Sequence, residues 1–219
     1  RSKPSAVTIR SVVWSPCGQY IASSGESATV QVWDASNGNH LFTYDGHSMA
    51  VYALAWSPDS TSLASGGADG TIQVWQALRG RRLFVIRDFY QKKVSGLAWS
   101  ADGTRVAATS WSSSSLNLRS TYQTVYEITI YLSVWKATNG EACTNDAGHQ
   151  IHELTKLTSD FLDDRFAPPV AWSPHGEYLA YGGGTRGGKE GVVYVHKWAS
   201  GFQRLPVLQY KGHTHPIYA

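Results

Sequence analysis

Three side chains in the first third of the chain have the residue types of a hydrolytic triad. His47, Ser65 and Asp69 supply a base, a hydroxyl nucleophile and a carboxylate, the set that activates serine in many hydrolases. The same groups can instead satisfy one another's hydrogen bonds in a protein interior, where polar groups must be paired. The choice between the two roles depends on the elements that position these residues.

The remaining candidates for chemistry are weaker. The pairs His149 with His152 and His213 with His215 offer potential metal ligands, but neither pair has a third ligand nearby in the sequence. The acidic residues at 160–164 lack the glycine and the regularly spaced carboxylates of a calcium loop. We therefore expect no metal site and no cofactor.

The composition excludes several classes of protein. Hydrophobic residues make up 42% of the 219 residues and charged residues 16%, a balance typical of globular chains. A net charge of +3 is too small to indicate nucleic-acid binding. The sequence has no signal peptide and no apolar run approaching the roughly 18 residues of a membrane span. We expect a cytoplasmic protein that binds neither nucleic acid nor membrane.

An internal repeat organises the chain. The anchor Trp14 recurs at Trp56 and Trp99, at steps of about 42 residues, and partial copies follow. The second copy contains four short apolar stretches, VYALAW, SLASGG, TIQVW and RLFVI. Their alternation, their length and their β-branched residues predict strands rather than helices. Each copy is therefore expected to form a four-stranded antiparallel meander.

A period of roughly 40 to 45 residues with four strands per copy is typical of a β-propeller, and the sequence resembles the WD-repeat family. The resemblance spans essentially the whole chain and implies an all-β propeller built of four-stranded antiparallel blades. The family's Gly-His and Trp-Asp dipeptides occur at Gly46-His47, Gly148-His149, Gly212-His213 and Trp33-Asp34.

The resemblance also implies a role for the triad-like residues. In the family, a histidine between blades, a hydroxyl residue on the second strand, an aspartate in the next turn and a tryptophan on the third strand form a hydrogen-bonded tetrad. The second copy holds the full set, His47, Ser65, Asp69 and Trp75. A structural tetrad is thus favoured over a catalytic triad, and we expect the protein not to be an enzyme.

The other copies keep only parts of the tetrad. The first copy has Ser23 and Trp33, but Ser27 replaces the turn aspartate. The fourth copy has Tyr181 in place of the serine, and either His196 or Trp198 occupies the tryptophan position. Propeller blades tolerate such losses because face-to-face apolar packing supplies most of their stability.

The repeat predicts about four blades and the start of another. The expected bounds are 5–45, 46–88, 89–147 and 148–211, with a further blade beginning at 212–219. The last copy stops in mid-motif, so we expect the chain to be part of a larger ring of about seven or eight blades. Either the remaining blades of the same protein or a second copy of the chain would complete that ring.

Insertions distinguish the third and fourth copies. One lies between the second and third strands of the third copy, another precedes the first strand of the fourth copy, and a shorter one falls within 184–191. In a meander these positions open at the same end, and insertions confined to one face often mark a binding face. The alternative is a set of loops without function.

Aromatic and arginine side chains dominate the energetics of protein contacts. The insertions and their flanks supply the candidate protein-binding residues Trp111, Arg119, Tyr122, Tyr126, Phe161, Arg165, Phe166 and Arg186.

These observations predict a protein-protein interaction scaffold or sensor propeller, part of a larger signalling protein, whose partner the sequence does not name. The alternative is a structural module that closes a propeller ring by oligomerisation. A propeller enzyme is the least favoured reading, because the predicted first strands carry mostly valine, alanine, leucine and serine rather than charged clusters.

Overall fold

The computed structural model describes residues 8–87, 92–118, 123–143, 151–159, 169–184, 191–198 and 206–213. Within the strands, the side chains of 115–127, 151–159 and 184 are outside this description. All regular secondary structure in the described ranges is β-strand, and none of it is a helix that could cross a membrane.

The strands form four antiparallel sheets of four strands, each a meander in chain order. We call these sheets blades one to four. Blade one contains β1 (Ile9–Trp14), β2 (Tyr20–Gly25), β3 (Val30–Asp34) and β4 (His40–Tyr44). Blade two contains β5 (Val51–Trp56), β6 (Ser62–Gly67), β7 (Ile72–Gln76) and β8 (Arg82–Ile86). Blade three contains β9 (Lys93–Trp99), β10 (Arg105–Leu118), β11 (Gln123–Lys136) and β12 (Ile151–Ser159). Blade four contains β13 (Val170–Trp172), β14 (Tyr178–Gly184), β15 (Gly191–Lys197) and β16 (Leu208–His213).

The same register repeats from blade to blade. In blade two Trp56 is paired with Leu63, which is paired with Trp75 on the next strand. In blade one Trp14, Ile21 and Trp33 hold the equivalent positions. The equivalence follows from the alternation of apolar residues, because a slip of one residue would turn every side chain to the opposite face.

Consecutive blades pack through their first strands, with β1 against β5, β5 against β9 and β9 against β13. Between blades one and two lies a core that includes Val30, Val32, Leu54, Leu63 and Trp75. Separate cores fill the spaces between blades two and three and between blades three and four. This is the all-β, blade-by-blade architecture that the repeat predicts.

Two predicted blade bounds are wrong. Residues 151–159 were expected in blade four, but β12 pairs with β11 over Tyr126–Ser133 and completes blade three. β11 is about twice as long as a usual strand, so its outer edge continues past the bridge from Trp135 to Ala142 and offers backbone groups with which β12 pairs. Gly212-His213 likewise ends β16, with His213 paired to Gly191, rather than starting another blade.

A tight contact between blades one and two occurs at Gly80, in the turn between β7 and β8. Gly80 has a φ of 62°, in the left-handed region that favours glycine. The Phe42 ring of blade one lies where a side chain at residue 80 would begin. The glycine therefore allows the phenylalanine to pack against the backbone of the neighbouring blade.

We expect Gly80→Ala to lower the free energy of unfolding by about 1 to 3 kcal/mol more than Gly18→Ala. Gly18 has a φ of 72° and no atom within 4 Å of the added methyl group, so the control reports backbone strain alone. Urea titration of both variants measures the difference. Equal losses from the two substitutions would show that the Phe42 contact does not restrict this turn.

Candidate functional site

The triad-like residues form a continuous chain of hydrogen bonds in blade two. His47 lies in the loop between β4 and β5, and its Nδ1 is 2.9 Å from Asp69 Oδ2 in the turn after β6. His47 Nε2 is 2.8 Å from Ser65 Oγ on β6. The Trp75 indole on β7 donates to the same Ser65 oxygen at 3.2 Å. The meander brings these residues together because both loops lie at the same end of the blade.

The hydrogen-bonded residues are not accessible to a substrate. Ser65 and Trp75 are each 0% exposed and His47 is 5% exposed. A nucleophilic serine must reach a carbonyl carbon, whereas Ser65 Oγ is enclosed between the imidazole and the indole N–H. The distances are those of a catalytic triad, but the burial is that of a structural network.

Asp69 is the charged end of this network. Its carboxylate accepts hydrogen bonds from the Thr71 backbone at 3.0 Å, from the Thr71 hydroxyl at 2.8 Å and from the Ser48 backbone at 3.1 Å. Burial by itself raises the pKa of Asp69, but the bonds from His47, Thr71 and Ser48 outweigh it and lower the pKa to about 2. Asp69 is therefore ionised at neutral pH.

Two partners of the tetrad were not predicted. The Tyr44 hydroxyl donates to Gln73 Oε1 at 2.7 Å, and Gln73 Nε2 donates to the Gly46 carbonyl at 3.0 Å. The Tyr44 ring also stacks on Trp75, with centroids 4.3 Å apart. Residues two apart on a strand share a face. The position of Gln73, two residues before Trp75, could therefore have placed it beside the tetrad from the sequence alone.

Blade one retains half of the network. The Trp33 indole donates to Ser23 Oγ at 3.0 Å, as Trp75 does to Ser65. Ser27, at the position of the turn aspartate, instead lies 3.1 Å from the Thr29 hydroxyl. The Trp-to-Ser bond therefore persists without the charged member.

Blade four uses a different pair at the same two positions. Leu179 is paired with His196, as Leu63 is with Trp75, so His196 rather than Trp198 takes the tryptophan position. The Tyr181 hydroxyl is 3.1 Å from His196 Nε2. Burial, together with neighbouring Tyr194, raises the pKa of Tyr181, so its phenol stays protonated and can donate to the imidazole.

A hairpin projects from blade three at the end where His47 meets Asp69 in blade two. β10 and β11 remain paired to Leu118 and Gln123, while the last pair between β9 and β10 is Lys93 with Trp111. Residues 112–118 therefore extend past β9 by about seven residues, or roughly 23 Å. We call 112–118 with 123–129 the projecting hairpin.

The sequence predicts Trp111 on an exposed contact surface, but in the structure this residue is buried. Its side chain is 2% exposed and packs with Ile128 and Ile130 at the base of the projecting hairpin. Trp111 is the direct cross-strand partner of Ile130, and such neighbours share a face. The Lys93 ammonium lies over the indole, 4.9 Å from the ring centroid.

A second cation–π contact at this base was not predicted. Lys92 Nζ is 3.7 Å from the centroid of the half-buried Tyr131 ring. Contacts of this kind contribute about 0.5 to 2 kcal/mol. The two lysines therefore cover aromatic rings on the strands from which the hairpin projects.

Most of the other candidate binding residues are outside the described part of the chain. Tyr126 lies on β11, where its backbone is paired with Ser115 and Ser159, but its side chain is not described. The remaining candidates, all outside the described residues, are Arg119, Tyr122, Phe161, Arg165, Phe166 and Arg186.

Among the described residues, no group of three or more histidine, cysteine, aspartate or glutamate side chains could hold a metal ion. Of the histidines considered as metal pairs, His149 and His215 are outside those residues, and the His152 side chain is not described. His213 lies at the end of β16.

Comparison with known proteins relates the chain to a repeat family. The family model described as "WD domain, G-beta repeat" matches residues 3–34 and 38–76. A protein of Culex quinquefasciatus named as a probable cytosolic iron-sulfur protein assembly protein, Ciao1, is 55% identical over 31 residues. That match covers 14% of this chain and 9% of the mosquito protein.

Solved structures with the same fold match nearly the whole chain. The structure of U3-55K matches with a TM-score of 0.64 and 20% identity over 99% of this chain and 55% of that chain. Hydrazine synthase of Kuenenia stuttgartiensis matches with a TM-score of 0.64 and 18% identity, over 97% of this chain and 51% of that one. The chain thus spans about half the length of both structures.

We expect Asp69→Ala to lower the free energy of unfolding by about 1 to 3 kcal/mol, because it leaves a buried imidazole without its acceptor. Asp34→Ala is the matched control, since Asp34 caps an exposed turn through bonds to Ser36. Thermal or urea unfolding of the two variants measures the contrast. If the two losses were equal, the tetrad would contribute no more than an ordinary turn.

The pH dependence of Asp69 gives a second expectation. Its pKa is about 2 in the folded protein and about 3.9 in an unfolded chain. A depressed pKa contributes stability that is complete above the unfolded value and is lost as pH falls through the folded value. The stability difference between the wild type and Asp69→Asn should therefore shrink between about pH 4 and about pH 2. A difference independent of pH would contradict the bonding described here.

Proposed function

We propose that this chain, whose residues 3–34 and 38–76 match a WD-repeat family model, is a protein-interaction scaffold that holds a partner on the end of its blades. The projecting hairpin is the observation that carries this proposal. It extends past β9 on a base fixed by Trp111 and Ile130, so a rigid blade supports it. Loops and extensions on a rigid framework are the usual place for recognition.

The exposed edge of the hairpin suggests how a partner is bound. In the described ranges no strand pairs with the outer edge of β10 beyond Trp111, and Ser113 and Ser114 are exposed there. An open strand edge offers unpaired backbone donors and acceptors that an extended peptide can fill. Small serine side chains would allow such a peptide to approach closely.

The site chemistry supports binding rather than catalysis. Ser65, the one candidate nucleophile of the tetrad, is enclosed, and the described residues include no metal-ligating cluster. We therefore infer that the chain binds a partner protein without converting it chemically. We also infer that the chain is the scaffold or sensor region of a larger signalling protein.

The mosquito relative's name supports association with other proteins. That protein is named as a cytosolic iron-sulfur protein assembly protein, and assembly is a process of protein contacts. We infer for this chain a cytoplasmic location and a partner among proteins, without carrying over the relative's iron-sulfur role.

A second candidate function is self-assembly into a propeller ring. Strand register favours it, since Tyr210 of blade four holds the position at which Tyr44 of blade one stacks on the next blade. The two functions are compatible, because ring closure uses blade faces and partner binding uses blade ends.

Charge reversal in the insertions tests the scaffold. We expect Arg119→Glu and Arg165→Glu each to reduce recovery of the protein partner in a pulldown from cells by at least about fivefold, since losses above 1 kcal/mol mark interface residues. Thermal unfolding of each variant is measured beside the wild type, and a melting temperature close to the wild-type value will show that the loss of partner is not a loss of fold.

Arg79→Glu is the matched control for this experiment. Arg79 is exposed in the turn between β7 and β8, at the opposite end of the blades from the projecting hairpin. Its reversal changes the net charge equally and should leave recovery of the partner intact. Equal recovery with all three variants, each still folded, would overturn the proposed binding face.

A further inference from the structure

The contact between blades two and three lacks an aromatic ring that the contact between blades one and two contains. Tyr20 of blade one stacks on Trp56 of blade two with ring centroids 6.2 Å apart, and Trp56 is 6% exposed. Strand register places Ser62 of blade two at the position of Tyr20, and Trp99 of blade three at that of Trp56. A serine is too small to cover an indole, and Trp99 is only partly buried.

A cavity of about 320 Å³ is lined by both Ser62 and Trp99, so it takes the place that the tyrosine ring fills in the preceding contact. We call this cavity the interblade slot, and its walls also include Pro58, Asp59, Asp102 and Gly103. It lies among the turns that follow β5 and β9, at the opposite end of the blades from the projecting hairpin. Ligand pockets range up to roughly 1,000 Å³, so the slot suits a single side chain.

Two carboxylates give the interblade slot its charge. The Ser57 hydroxyl and the Thr61 backbone donate to Asp59 and hold the pKa of its carboxyl below the usual range. Burial by itself raises the pKa of Asp102, but hydrogen bonds from Ser100 and from the rest of the same turn outweigh it and lower the pKa. Both carboxylates are therefore ionised at neutral pH.

Each of these carboxylates keeps one oxygen that can accept a further hydrogen bond. Among the described residues, Asp59 Oδ2 accepts one bond, from the Thr61 hydroxyl at 2.9 Å. Asp102 Oδ2 has in the same set one long contact, from the Arg105 guanidinium at 3.5 Å. A carboxylate oxygen has two lone pairs. The slot thus combines spare acceptors for hydrogen bonds with an indole that no ring covers as Tyr20 covers Trp56.

Blade three shows which side chain suits this position. Arg105 stands there at the register position of Tyr20 and Ser62. Its guanidinium carbon lies 5.7 Å from the centroid of the Trp198 ring, and the same guanidinium pairs with Asp102. A guanidinium is flat like a phenol ring, stacks on indoles and donates to carboxylates in a fork, whereas a lysine ammonium has no plane to stack.

We propose that the interblade slot binds an arginine side chain of a partner protein. The guanidinium would lie on Trp99 in place of the absent tyrosine ring and donate to Asp59 and Asp102. Arginine is enriched at the centre of protein contacts, so one such side chain can anchor a partner. This docking point is separate from the projecting hairpin and does not rest on the binding proposed there.

Nuclear magnetic resonance of the full chain tests the slot with a capped tripeptide, acetyl-Gly-Arg-Gly-amide. The indole N–H signal of Trp99, identified by its loss in Trp99→Phe, should shift on titration, whereas that of Trp56 should stay in place. A peptide with lysine at the centre should bind at least about threefold more weakly, because its ammonium cannot stack. A peptide with citrulline, the neutral analogue of arginine, should bind at least about tenfold more weakly.

Variants of the slot make the test specific. Asp59→Asn and Asp102→Asn should each weaken binding of the arginine peptide at least about fivefold, because asparagine keeps an acceptor oxygen for the turn but removes the charge. Ser62→Tyr should abolish binding, because it restores the ring that fills this place between blades one and two. Asp34→Asn is the matched control, since it removes one charge from a turn at the same end of blade one and should leave binding unchanged.

Thermal unfolding shows which variants are folded, and if Ser62→Tyr is not, the two aspartate variants decide. An unmoved Trp99 signal, equal affinities for the three peptides, or binding that survives Ser62→Tyr in a folded protein would overturn the proposal. So would equal losses from Asp34→Asn and the slot variants, which would show attraction by net charge alone. These results are independent of the pulldown, because the slot and the projecting hairpin lie at opposite ends of the blades.

Discussion

The fold depends on the fact that a four-stranded blade is apolar on both faces. Such a sheet is stable only when each face packs against a neighbour, since the hydrophobic effect supplies most of the driving force of folding. Trp75 contributes both to this packing between blades and to the hydrogen bonding within its own blade. Its ring lies under Tyr44 of blade one, and its indole N–H ends on Ser65. The polar tetrad is therefore positioned by the same side chain that joins two blades.

Much of the fold could be predicted from the sequence, because alternation and turn residues determine strands locally. The tetrad could be assigned in blade two by its resemblance to a family, but not in blade four. There, the spacing offered both His196 and Trp198, and only the pairing of His196 with Leu179 decides between them. Register across strands is a property of the folded sheet, so a single sequence does not contain it directly.

Two of the wrong predictions share a physical cause. Gly148-His149 was used as the start of a blade because the dipeptide marks that point in regular copies. The extended β11, however, offers a long outer edge, and β12 pairs with it. Trp111 was expected at the surface because it lies in an insertion, yet the same extension gives it a cross-strand partner in Ile130. Local patterns do not record how far a hairpin continues.

The exchange of Ser65 and Trp75 for Tyr181 and His196 has a consequence for how such blades diverge. A small hydroxyl beside a large indole has become a large phenol beside a smaller imidazole, and the hydrogen bond is retained. Changing either residue alone would create a clash or a void in a close-packed interior. We therefore expect the two positions to be coupled, so that each substitution is tolerated better with the other than alone. The tetrad positions of blade four thus hold neither the serine nor the tryptophan of blade two, while the hydrogen bond between them remains.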